Sequence, residues 1–165
     1  MRNRFTVAMA AALLGALTLG GIVLATDSVG VSSRPIATGS LAEVNLIVKT
    51  EDWKVQLRTK GMTDVTTVEN TVIPGGSFGW HSHPGPSIII VKSGTITFYH
   101  GDDPTCAPHV YHAGQALVDT GNDVHVGRNE GAEDVVVIVT RLIPAGDGPR
   151  DSEPASGFCG FDQNP

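Results

Sequence analysis

The stretch Gly75–Gly94, "GGSFGWHSHPGPSIIIVKSG", decides how this chain is read. Residues two apart on a strand face the same side, so His81 and His83 project together and form half of a metal site. The same spacing also suits two exposed polar residues on a loop. After them comes "PGPS", then the apolar run "SIIIV", then Lys92-Ser93-Gly94, a hairpin signal that leads into a second apolar run, "TITFYH".

Outward from this hairpin the pattern stays β-type. "AEVNLIVKT", "WKVQLRTK" and "DVTTVENTVI" precede it, and "QALVD", "VHVG" and "DVVVIVTRLI" follow. Each alternates or is rich in β-branched residues, with polar or Gly breaks between. No helical period is sustained after residue 26. Short strands with frequent turns predict an all-β sandwich or barrel. A third histidine, His125, lies in "GQALVDTGNDVHVGRNEG", a second strand–turn–strand segment that an antiparallel barrel can bring beside the first.

These residues resemble the two motifs of the cupin superfamily. The first, G-x5-H-x-H-x(3,4)-E-x6-G, is met by Gly75, His81, His83 and Gly94, with Ser87 in place of the glutamate. The second, G-x5-P-x-G-x2-H-x3-N, is met by Gly114, His125 and Asn129, with Thr120 replacing the proline and Asn122 the glycine. The resemblance implies a double-stranded β-helix, a small jelly-roll barrel with a divalent metal in its mouth. Carried over residue by residue, His81, His83 and His125 are the candidate metal ligands, and Asn129 serves the turn or the strand rather than the metal.

Ser87 is the departure that matters. A neutral hydroxyl is a poor ligand for a divalent ion, so three imidazoles would favour Fe, Zn, Cu or Ni over manganese. They would also leave coordination positions open for water or a small molecule. The superfamily contains three-histidine members, such as ferrous thiol dioxygenases, and metal-free ligand-binding barrels. Two functions follow as expectations. One is a metalloenzyme of dioxygenase or isomerase type acting on a small molecule; the other is a non-catalytic module that binds a small ligand or the metal itself. Ser87, Tyr99 and Trp80 are candidate pocket residues, although Trp80 suits packing at the rim better than a substrate platform. Glu69 is a candidate replacement carboxylate. His109 and His112, three apart, face opposite sides of a strand and do not form a ligand pair.

The termini bear on location. The basic start Met1–Arg4, the uncharged run Phe5–Ala25 and the small residues at its end read as a secretory signal over 1–25, with a retained N-terminal anchor as the alternative. Residues 26–40 read as a linker, 41–143 as the barrel, and 144–165 as an irregular tail. The two cysteines, Cys106 and Cys159, form one disulfide in an exported chain and tie that tail down. A net charge of −6 without a Lys/Arg cluster argues against nucleic acid or an anionic membrane surface as partner. Cupins often pair through edge strands, so the resemblance makes a homodimer an expectation.

Overall fold

The computed structural model describes residues 25–163. The expected signal segment therefore lies outside the described residues apart from Ala25. Among the described residues no helix is long and apolar enough to cross a membrane.

The chain forms β1 (Val29–Leu41), β2 (Asn45–Lys49), β3 (Lys54–Arg58), β4 (Thr63–Ser77), β5 (His81–Ser82), β6 (Ser87–Ser93), β7 (Thr95–His100), β8 (His109–His112), β9 (Ala116–Asp119), β10 (His125–Arg128), β11 (Val135–Pro144), β12 (Asp151–Ser152) and a 3-10 turn, Gly160–Gln163. All pairings are antiparallel, and together they make the expected double-stranded β-helix. One wall runs β1–β4–β11–β6–β9. The other is built on β10, which pairs with β5 and β7, while β12 adds to β5 and β8 to β7. The walls join where Arg128 of β10 meets Ser77 of β4.

Alternation decides which face is inside. On β6, Ser87, Ile89 and Val91 are buried while Ile88 and Ile90 are exposed. On β11, Val135, Val137 and Val139 point inward. With Val72, Ile96 and Phe98 they fill the interior. Each such side chain contributes about 1.5–3 kcal/mol by leaving water. Arg141 follows in the same phase, so a guanidinium stands where an apolar residue would continue the row.

Two segments differ from their sequence reading. Residues 26–40, expected as a linker, are mostly β1, which pairs with β4 over nearly its whole length. Ser, Thr, Gly and Pro suit this edge strand because most of its side chains stay in solvent and its backbone does most of the pairing, although Val31 packs on the core, and Pro35 sits at a register irregularity. The tail is also more ordered than its composition suggests. Its β12 pairs with His81–Ser82, and Cys159 is bonded to Cys106. It covers a second apolar cluster of Trp80, Tyr99 and Val126, with Phe161 packed against it. The hairpin β2–β3 forms a separate small sheet outside the barrel, with Leu46, Ile47, Val48, Trp53 and Val55 exposed.

The turn after His83 is held by glycine contacts. A Cβ on Gly85 would collide with the Leu142 carbonyl, and Gly121, at φ +105°, would place a Cβ 2.7 Å from the Gly85 backbone. The Gly121 carbonyl also accepts the His83 amide at 2.9 Å. Gly121→Ala is therefore expected to cost roughly 2–3 kcal/mol by combining a strained φ with a backbone clash. Denaturant unfolding at unchanged m-value measures it.

Candidate functional site

His81 and His125 are direct cross-strand partners on β5 and β10, and His83 follows His81 by two residues. Their ring centroids lie 4.4 Å (His81–His125), 4.8 Å (His81–His83) and 5.4 Å (His83–His125) apart. All three side chains are buried, at 2–5% exposure. One ring nitrogen from each lies within 4.8 Å of the others.

The tautomers follow from the partners. Nδ1 of His81 faces the Gly79 carbonyl at 2.8 Å, Nδ1 of His83 the Pro149 carbonyl at 2.7 Å, and Nδ1 of His125 the Asp123 carbonyl at 3.0 Å. A carbonyl oxygen only accepts, so each Nδ1 carries hydrogen and donates. In the neutral rings each Nε2 is then a bare lone pair. Burial, helped by the charge of a neighbouring His125, pushes His81 down to about 2. Burial also lowers His83, against the upward pull of the Pro149 carbonyl and Asp119. Backbone acceptors on Nδ1 with Nε2 left free are the arrangement that orients imidazoles towards a metal ion.

A fourth acceptor joins them. Asp119 Oδ2 lies 3.2 Å from His83 Nε2 and 3.6 Å from His125 Nε2, is buried, and receives no hydrogen bond. Its Oδ1 is used by the Gly121 amide at 2.8 Å. A carboxylate oxygen facing two nitrogen lone pairs is repulsive unless a cation lies between them. Two ligands bonded at about 2.1 Å to one ion sit roughly 3.0–3.5 Å apart, which is the spacing found here.

Asp119 was missed in the sequence, and the register explains its place. Ser87 of β6 is flanked by Asp119 of β9 on one side and by Arg141 of β11 on the other. Ser87 itself is fully buried and its Oγ has no partner. A carboxylate, that of Asp119, therefore lies one strand away from position 87. Glu69 is not that carboxylate: it turns outward to Lys92 at 2.7 Å and Arg34 at 2.8 Å, while its neighbour Asn70 takes the inward position.

The other candidates are placed elsewhere. Trp80 packs beneath the tail and donates Nε1–H to Asp162 at 2.8 Å. Tyr99 packs beside it and donates its hydroxyl to Glu130 at 2.9 Å; burial, helped by that hydrogen bond, raises its pKa to about 12. His109 and His112 are exposed on β8. Asn129 donates Nδ2–H to the carbonyls of Val72 and Glu133, both at 2.8 Å, closing the turn after β10 as expected of it.

Beside the imidazoles lies a cavity of about 20 Å³, walled by Phe78, Phe98, Ile89 and valines of β11. This is room for about one water. It adjoins a wider cleft of about 340 Å³ that shares Asn70, Phe78, His81 and Arg141 and extends to Pro149 and Arg150.

Comparison with known proteins gives the following. Residues 68–141 match the family model described as the cupin domain. No curated protein sequence matches the chain. Among solved structures, a Klebsiella pneumoniae protein with a double-stranded β-helix domain is similar at 20% identity over 68% of this chain and 85% of its own, TM-score 0.46. A cupin superfamily protein from Desulfitobacterium hafniense aligns at 14% identity over 67% and 81%, TM-score 0.43. The polyketide cyclase RemF from Streptomyces resistomycificus aligns at 18% identity over 53% and 59%, TM-score 0.46. At these identities the likeness concerns the fold alone.

Proposed function

Since this chain carries a cupin domain, we propose that it is a metalloprotein in which His81, His83, His125 and Asp119 hold one divalent transition metal ion. The observation that supports this most is the buried His81–His83–His125 cluster, whose ligand atoms lie within 4.8 Å of one another, with the unpartnered Asp119 Oδ2 3.2 Å from His83 Nε2 and 3.6 Å from His125 Nε2. Three imidazoles and one carboxylate suit Fe, Zn, Cu or Ni, and the carboxylate offsets part of the ion's charge. A bound ion would supply Lewis acidity, polarising a ligand oxygen or acidifying a bound water. The protein's own part is to fix the imidazoles through backbone carbonyls, to exclude bulk water with Phe78 and Phe98, and to leave an approach through the 340 Å³ cleft. A cleft of that size supports action on a small molecule, with an oxygenase- or isomerase-type metalloenzyme as the reading. The Cys106–Cys159 disulfide supports an oxidising, extracytoplasmic location.

The register supplies a direct test. Asp119→Ala is expected to weaken Zn²⁺ binding more than about 10-fold by calorimetry. Unchanged affinity in Asp119→Ala sinks the carboxylate assignment.

A further inference from the structure

Arg141 has no role in holding the metal, yet it occupies an inward position beside the histidines. Neither a hydrogen bond nor a carboxylate within 4 Å engages it among the described residues, and its Nε is buried without a partner. Burial disfavours its charge, Asp119 pulls the other way, and the neighbouring Arg150 adds to the cost. A guanidinium that is always charged and left unpaired in an apolar barrel is costly unless something else complements it. Asp119 is two strands away, with Ser87 between, and a metal ion on its Oδ2 would use up that carboxylate's charge.

The rest of the cleft has the same sign. Arg150 lines it too, donating to the Phe78 carbonyl at 2.8 Å and the Thr26 carbonyl at 3.3 Å, with its Nε buried and unpartnered and no carboxylate in contact. Asn70 accepts from Ser33 through Oδ1 at 2.7 Å, which leaves its amide hydrogens as donors. Among the described residues no Asp or Glu lines this cleft, and Asp27 is the carboxylate whose field favours the charge of Arg150. With a divalent ion in place, the cleft would hold a surplus of positive charge.

We infer that the cleft takes a small organic carboxylate, bound through its anionic end by the forked donors of Arg141, with its other end directed to the three histidines. This rests on the metal reading above and names the substrate class for it. The planar fork of arginine matches a carboxylate through two parallel hydrogen bonds. The serine at position 87 has the small volume that leaves Arg141 free to reach inward; a glutamate there would lie directly beside the guanidinium and pair with it. Replacement of the family's glutamate and the presence of an unpaired arginine are thus one linked arrangement.

The test uses the full purified protein loaded with Co²⁺, whose visible spectrum reports the first coordination sphere. Glycolate is expected to shift that spectrum saturably, and the uncharged glycolamide to leave it unchanged. Arg141→Met is expected to keep the Co²⁺ spectrum and lose at least about 10-fold in glycolate affinity. Equal glycolate affinity in Arg141→Met and wild type overturns the inference, as does equal binding of glycolamide; tighter binding of inorganic phosphate than of glycolate overturns the carboxylate assignment. A wild-type protein that takes up no Co²⁺ counts against the metal reading alone. In that event the Arg141 Nε–H resonance of the metal-free protein must still move with glycolate and not with glycolamide, and a stationary resonance overturns the inference.

Discussion

Replacing His83 by alanine is expected to lower Zn²⁺ affinity more than about 100-fold, to the point where the purified variant carries no stoichiometric metal. Loss of a residue that merely orients a ligand costs 10–100-fold, so loss of a ligand costs more. His83 is the most consequential of the three. Its Nε2 is the nitrogen nearest Asp119 Oδ2, at 3.2 Å, and its Nδ1 ties the site to the tail through the Pro149 carbonyl. Its amide also bonds the Gly121 carbonyl, a contact that alanine keeps. The variant should therefore fold while losing the site. Metal analysis together with circular dichroism separates loss of metal from loss of fold, and a folded variant that retains one equivalent of metal would contradict the assignment of His83.

The second large effect concerns the disulfide. Cys106 and Cys159 are separated by 53 residues, and closing a loop of that length is worth about 4 kcal/mol in the chain-entropy model. The double variant Cys106→Ser/Cys159→Ser is expected to lose 2–4 kcal/mol in guanidinium unfolding of the metal-free protein. It should also bind metal about 10-fold more weakly. Cys159 anchors the segment whose β12 pairs with His81–Ser82 and whose Pro149 carbonyl orients His83. A full loss of stability with unaltered metal affinity would show that the tail only braces the barrel.

Much of the fold and part of the site are legible in the sequence. His81 and His83 declare a shared face by their spacing, and the period-2 runs of β6 and β11 declare a barrel wall. Asp119 was not legible, for a physical reason. Its closeness to the histidines depends on the register of β9 against β6, which no local pattern specifies, and it opens a "DTGND" run that reads as ordinary turn chemistry. Glu69 was attractive as a carboxylate, but alternation along β4 gives the inward place to Asn70 and leaves Glu69 to the surface cations. Arg141 could have been found by continuing the phase of Val135, Val137 and Val139, a signal hidden by its place near the polar end of the strand. The linker reading of 26–40 failed because composition describes side chains, whereas an edge strand such as β1 is held by its backbone.

The most direct measurement is a crystal structure of the full protein soaked with Zn²⁺ and recorded at the zinc absorption edge. The expected result is one anomalous peak bonded at about 2.0–2.2 Å to Nε2 of His81, His83 and His125 and to Oδ2 of Asp119, with the Ser87 hydroxyl outside bonding distance. The contrary result is no peak among these residues, with a proton shared between His83 and Asp119 as the only cation there; that would make the cluster a buried ion pair and not a metal centre.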